Sequence, residues 1–196
     1  MKQLSRIRDD LEVSRNVFTR ALADEAMLAS AARAAEVVMA ALQSGGKLLL
    51  AGNGGSAADC QHVAAEFVSR LTKDFERPGL PAIALTTDTS ILTAIGNDLG
   101  FEHAFARQVL ALGRPGDVFL GISTSGRSPN ILAACAAARQ AGLAVIGFTG
   151  ASGGAMPELC DALVRVPSDD TPFIQQVHIA IGHTLCAIVE DALDHG

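Results

Sequence analysis

The 196-residue chain contains no tryptophan and no tyrosine, and its eight aromatic residues are all phenylalanine. Their absence removes the stacking platforms on which single-stranded nucleic acid and flat sugar faces are usually held. An excess of positive charge is also missing: 15 Lys and Arg face 21 Asp and Glu, a formal net charge of −6. A polyanion spread over the surface is therefore excluded, and any anionic ligand must be held by other means. Cysteine is sparse. Cys60, Cys135, Cys160 and Cys186 lie far apart with no CxxC pair, and a chain this long needs no disulfide staple, so a reduced, cytoplasmic setting is expected. Long apolar runs are absent too. The opening MKQLSRIRDDLEVSR mixes charged and apolar residues and resembles no export signal. The stretch Val177 to Val189 is interrupted by His178 and His183 and falls short of the roughly 20 residues that span a bilayer.

What is present suits one well-filled core. Hydrophobic residues make up 49% of the chain and charged residues 18%, which predicts a single domain over residues 1–196. Leu4, Ile7, Leu11, Val17, Phe18 and Leu22 recur at helical spacing, and an Ala-rich helical pattern follows from Asp24 to Gln43, so residues 1–45 read as two helices. From residue 46 on, short apolar runs alternate with helical patterns. Strands are predicted at Lys47–Ala51, Ala82–Leu85, Asp117–Ile122, Leu143–Phe148 and Leu163–Val166. Between them lie helices at Ser56–Leu71, Ser90–Ile95, Phe101–Leu112 and Pro129–Ala141, and a last helix spans Pro172–Leu193. That alternation predicts an α/β fold with a doubly wound, five-stranded parallel sheet. Ligands of such sheets bind beyond the C-terminal strand ends, which directs attention to two loops.

The loop after the third strand, Ser123-Thr124-Ser125-Gly126-Arg127-Ser128, sets four hydroxyls around one glycine at a helix start. Hydroxyls, backbone N–H groups and the helix dipole together make a phosphate cradle that needs no lysine. A merely capped turn would use one or two of them. The loop after the first strand, Gly52-Asn53-Gly54-Gly55-Ser56, fits G-x-G-x-x-A through Gly52, Gly54 and Ala57, the dinucleotide pattern. The second strand, however, ends Leu85-Thr86-Thr87-Asp88, with its acid too late for a ribose contact. Asn53 and Ser56 also add side-chain donors where dinucleotide loops keep bare backbone. A sugar or sugar-phosphate contact is the better expectation.

AGNGGS, PAIAL, GND followed by GF, GDVFLGISTSGRS and the terminal IQQVH together resemble the sugar isomerase (SIS) domain family. Within it they are similar to the sedoheptulose-7-phosphate isomerase branch, from about Leu48 through the last helix. The resemblance implies a flavodoxin-like SIS domain. Residues 1–45 would form an oligomer-forming arm, residues 46–196 a sugar-phosphate-binding core, and the assembly a homotetramer with sites between subunits. The implied activity is conversion of D-sedoheptulose 7-phosphate to D-glycero-D-manno-heptose 7-phosphate, the first step towards nucleotide-activated heptose for lipopolysaccharide or capsule. The competing implication is a SIS-fold module that binds a replication initiator or senses sugar phosphates without catalysis.

Aldose–ketose interconversion needs a base beside the carbonyl and an acid for its oxygen. His62 and Glu66 are i and i+4 on the helix opened by the first loop and share a face. Gln175 and His183 lie about 80° apart on the last helix and share a broad face, whereas His178 is about 140° from His183 and is expected to be packed or interfacial. Carried over by resemblance, Glu66 is the general base and His183 the acid. Ser123, Thr124, Ser125 and Ser128 take the phosphate, and Asn53, Gly54, Gly55, Glu66, Asn97, Asp98 and Gln175 meet the rest of the substrate. Without the resemblance Asn97 and Asp98 read as a turn after Gly96. His62, Glu66, Gln175 and His183 also match positions that hold zinc, an N/O set suited to Zn²⁺. No nucleic-acid or membrane partner is expected.

Overall fold

A computed structural model describes residues 2–72 and 77–194. Among these residues two helices come first, α1 (Lys2–Leu22) and α2 (Glu25–Gln43). Five strands follow: β1 (Leu48–Gly52), β2 (Ala82–Ala84), β3 (Val118–Ile122), β4 (Ala144–Thr149) and β5 (Ala162–Arg165). Helix α3 (Gly55–Val68) links β1 to β2, and α4 (Thr89–Asp98), a 3-10 turn at Phe101–His103 and α5 (Ala104–Leu112) link β2 to β3. Helix α6 (Pro129–Gln140) joins β3 to β4, and α7 (Thr171–Asp194) follows β5. The strands are all parallel in the order β2-β1-β3-β4-β5, the doubly wound α/β arrangement that the alternating pattern predicts.

Every residue of LLLAG in β1 and VFLGI in β3 is buried, as in strands covered on both faces. Their side chains alternate between two cores. Leu48, Leu50 and Leu120 face one layer with Val38, Phe67 and Val189, while Leu49 and Phe119 face the other with Phe105, Val109 and Ile131. Asp117 pins the opposite sheet end. It accepts from the backbone N–H groups of Lys47 (2.9 Å) and Arg114 (2.8 Å) and pairs with the Lys47 ammonium. Burial works to raise its pKa, but the bonds from Lys47 and Arg114 outweigh it and hold the carboxyl below its usual range.

One local expectation is corrected. Asn97 and Asp98 do not form a turn after Gly96; α4 runs through to Asp98, and the Leu99 N–H donates to Ile95 O at 2.9 Å. A helical glycine costs roughly 1 kcal/mol but leaves the i to i−4 bonds in place.

Helix α7 is longer than the interrupted stretch read from the sequence, and by length and composition alone Thr171–Ala192 could cross a membrane. It packs instead on the α2/α3 side of the sheet, burying Ile174, Val177, Leu185, Cys186 and Val189. His178 points the same way. It is 1% exposed, its Nε2 lies 3.1 Å from Thr149 O, and its Nδ1 has no partner among the described residues. Burial pushes its pKa down to about 4, against the pull of the Thr149 hydrogen bond. Because the folded value lies below the ordinary 6.5, the unfolded chain takes up this proton first as pH falls. The stability from neutral His178 is therefore whole above pH 6.5 and drains away down to about pH 4, on the order of 3 kcal/mol in all. Thermal melts should show Tm falling over that window, with a shallower slope in His178→Gln; an equal slope in the variant would contradict this account.

Candidate active site

Strands β1 and β3 are neighbours, with Gly52 opposite Ile122, so the two Gly- and Ser-rich loops leave the sheet side by side. For this strand order the crevice between them is the topological switch point, where ligands bind. One loop enters α3 and the other enters α6, on opposite faces. Asn53 and Asn130 bridge them. Asn53 Nδ2 donates to Asn130 Oδ1 at 3.0 Å, and Asn130 Nδ2 returns a bond to Asn53 Oδ1 at 2.8 Å. Asn130 is buried in the first turn of α6; the sequence reading missed it, although a polar residue directly after a helix-opening proline was a signal. A concave space of about 670 Å³ adjoins the pair, lined by Phe101, Glu102, Ser128 and Pro129 as well.

In the second loop Ser123 Oγ and Ser128 Oγ are 2.9 Å apart, and the Arg127 N–H donates to Ser125 Oγ at 3.2 Å. Ser128 occupies the N-cap position of α6, yet its side chain makes no capping bond. Its hydroxyl is turned to Ser123, into the loop. Thr124 Oγ1 lies 3.3 Å from Thr171 Oγ1 at the start of α7, a fifth hydroxyl that the sequence reading did not include. The loop is braced from behind: the Gly150 N–H donates to Thr124 O and the Ala155 N–H to Gly126 O, both at 2.9 Å. Gly126 turns there with φ +64°.

Helices α3 and α7 run in the same direction and touch at successive levels. Near their starts the Gln175 amide lies over Gly55 and donates to Ser56 Oγ at 3.3 Å. Further along, His62 Nε2 is 2.8 Å from His183 Nε2 and 3.3 Å from Glu66 Oε1. One ring nitrogen of the pair must carry the proton and donate to the other. The imidazole rings meet edge to face, with centroids 5.0 Å apart. The side chain of Glu66 is 18% exposed and that of His62 50%, so the cluster is open on the His62 side. Ligand atoms of His62, Glu66 and His183 all lie within 4.8 Å of one another, a spacing at which one divalent cation could be held. Asp59, one turn before His62, was also missed by the sequence reading. Its buried Oδ2 has no hydrogen-bond partner among the described residues, and burial holds its carboxyl above the usual range against the pull of His62.

The structure thus gathers His62, Glu66 and His183 into one cluster, places Gln175 beside the N-terminus of the same α3, and keeps Ser123, Thr124, Ser125 and Ser128 in one loop. Gly54 and Gly55 form the entry to α3. Asn97 and Asp98 are exposed at the end of α4, where Asn97 Nδ2 donates to Asp98 Oδ1 at 2.7 Å. Asp98 lines an apolar groove between α4 and α5 with Ile91, Leu99 and Leu112, and among the described residues no hydrogen bond ties either residue to the cluster or the loops.

Residues 12–150 match the family model of the SIS domain. The chain is 59% identical over 195 residues to the phosphoheptose isomerase of Bradyrhizobium sp., covering 97% of this chain and 98% of that one. It is 56% identical over 192 residues to the phosphoheptose isomerase of Burkholderia pseudomallei, covering 98% and 96%. The solved phosphoheptose isomerase of Neisseria gonorrhoeae superposes with a TM-score of 0.90 at 42% identity, over 96% of this chain and 99% of that one. With its five-stranded parallel sheet, its two loops at the switch point and identities of this size along nearly its whole length, the chain belongs to the phosphoheptose isomerases of the SIS domain family.

Proposed function

We propose that this chain interconverts D-sedoheptulose 7-phosphate and D-glycero-D-manno-heptose 7-phosphate through an enediol. The convergence of Glu66 and His183, 117 residues apart in sequence, with His62 between them carries this reading. In the forward direction Glu66 takes a proton from C1 of the ketose while His183 gives one to the carbonyl oxygen on C2. The enediol then collapses: O1 gives its proton to the now neutral His183 as the C1 carbonyl forms, and Glu66 returns a proton to C2, which becomes the carbinol carbon of the aldose. Ser123, Thr124, Ser125 and Ser128 hold the phosphate from their loop. Asn53, Gly54, Gly55, Asn97, Asp98 and Gln175 meet the sugar, and holding both ends fixes the reacting carbons beside the acid and base.

The donor chemistry of His62, Glu66 and His183 fits Zn²⁺, with the Gln175 amide oxygen as fourth ligand. Bound there, zinc would polarise the sugar's carbonyl and stabilise charge developing on its oxygen, and Glu66 and His183 would act as base and acid only when released from it. Two exposed apolar faces support a homotetramer with sites at subunit interfaces. One is the α1 stripe of Leu4, Ile7, Leu11, Phe18 and Leu22, and the other is formed by Ile91, Leu99, Leu110 and Leu112 of α4 and α5. Two self-complementary interfaces are what a tetramer with three perpendicular twofold axes requires. In this reading residues 1–45 are the arm of a single 1–196 domain, the enzyme is cytoplasmic, and its product feeds lipopolysaccharide or capsule assembly. A non-catalytic binding module would keep the loops without needing the acid/base cluster, so that reading is not favoured.

The test is a coupled or chromatographic isomerase assay on sedoheptulose 7-phosphate, with metal analysis of the same preparation. Turnover to the aldose, abolished by chelation and restored by zinc, is expected. An inactive protein at full zinc occupancy would refute the enzymatic reading.

A further inference from the structure

Below the His62–Glu66–His183 cluster, α3 and α7 are tied together once more by an ion pair with almost no access to water. The side chains of Arg77 and Glu190 are 4% and 6% exposed. Arg77 comes from the segment after α3, and its guanidinium is used on every side. Nε and Nη2 donate to Glu190 Oε1 at 2.9 and 2.6 Å, Nη2 to Glu66 O at 2.8 Å, and Nη1 to Phe67 O at 2.7 Å and Pro78 O at 3.1 Å. The carbonyls of Glu66 and Phe67 belong to the last turn of α3, where helical acceptors lack partners of their own. Glu190 also accepts from the Leu71 N–H at 2.9 Å. On α7, Glu190 follows His183 by two turns and lies on nearly the same face, about 20° away.

One planar cation therefore grips the backbone of Glu66 itself and, through Glu190, the helix that carries His183. At the level of His62 and His183 the helices touch where a Cβ on Gly182 would lie 2.9 Å from Val63 Cγ2. These two contacts lie at and below the level of the acid and base and leave little room for α3 to slide past α7.

We propose that Arg77 and Glu190 are positioning residues for the isomerase, setting the axial register of α3 against α7 and with it the spacing of Glu66 and His183. Neither side chain meets substrate; both act through the helices that do. The inference rests on the isomerase reading of that cluster. Misplacement of reacting groups by about 1 Å can cost 100-fold in rate, and loss of an outer partner of a metal ligand typically costs 10- to 100-fold in affinity. The phosphate loop hangs on β3 and α6 and should not respond.

Two variants separate register from bulk stability. Arg77→Lys keeps the charge but cannot fork across two carbonyls and a carboxylate. The double variant Arg77→Met with Glu190→Leu removes both charges together, which avoids an uncompensated buried ion and should preserve folding. Both are expected to lower kcat at least tenfold, with KM for the sugar phosphate within about twofold, and to weaken zinc binding at the cluster by about tenfold in a chelator competition. Melting temperature is read alongside. A double variant that regains parental Tm and parental kcat together, or Arg77→Lys with parental kcat and zinc affinity, would overturn the proposal. A parent enzyme without isomerase activity would instead remove the reading on which it rests.

Discussion

Glu66→Gln should reduce kcat by roughly 100- to 10,000-fold, the usual weight of a positioned general base, while KM changes little. The amide keeps the shape of the carboxylate and its place in the last turns of α3, but it cannot accept a proton from carbon. Exchange of the sugar's carbon-bound hydrogen with deuterated water provides a second readout that does not depend on net turnover. It should vanish in Glu66→Gln. His183→Gln should lose turnover by a similar factor, because no other ring lies within reach of both Glu66 and His62 among the described residues. Each variant also removes a candidate zinc ligand, so metal content has to be measured with the rates. A variant refilled with zinc that still fails to exchange hydrogen has lost the proton-transfer group itself. Parental exchange in Glu66→Gln would remove it as the base.

Gly126→Ala should be the most damaging change outside the acid/base cluster. Its φ of +64° already disfavours a side chain, and an added Cβ would lie 2.5 Å from the Gly153 carbonyl carbon and closer still to its oxygen. Neither partner is a side chain that could swing away. Strain of roughly 1–2 kcal/mol from the left-handed conformation and roughly 1–3 kcal/mol from overpacking add at one point. At about 2–4 °C per kcal/mol for a chain of this size, Tm should fall by roughly 4–20 °C. Because the Gly126 carbonyl also receives the Ala155 N–H, the hydroxyl loop must move to relieve the clash, and KM for the sugar phosphate should rise at least tenfold. Gly45→Ala is the matched control for stability: its φ is +81° at the end of α2, where a left-handed residue is usual, and nothing lies within 4 Å of the added carbon. Only the conformational cost should appear there. Equal Tm losses in the two variants would show that contact with Gly153 contributes nothing.

Much of the architecture was legible because its signals are local. Short apolar runs identified β1 and β3, glycines and serines marked their ends, and the spacing of His62 and Glu66 set both on one helical face. The partners of that pair were not legible by the same means. The helical wheel places Gln175 and His183 on a common face but says nothing about which neighbour that face meets; the packing of α7 on α3 decides it. The Asn53–Asn130 bridge, the Thr124–Thr171 contact and the Arg77–Glu190 pair join residues 77, 47 and 113 apart in sequence, and no pattern within one element encodes such contacts. The misread turn at Asn97 and Asp98 shows the converse: a single glycine weakens a helix by less than the hydrogen bonds on either side sustain it. Roles for individual residues came from the resemblance, since spacing alone cannot separate an acid–base pair from a surface ion pair.

The parallel course of α3 and α7 also has a consequence in folding time. Strands β1, β2 and β3 pair directly with one another, whereas α7 is the last element of the chain. His183 reaches His62 only by closing a loop of 121 residues, one of the entropically costlier closures available to the chain. A chain in which α7 has not docked still holds His62 beside Glu66 on α3, but His183 is not there to complete the cluster. In the proposed mechanism such a molecule holds the base without its acid, so the contact of α7 with α3 decides activity as well as stability.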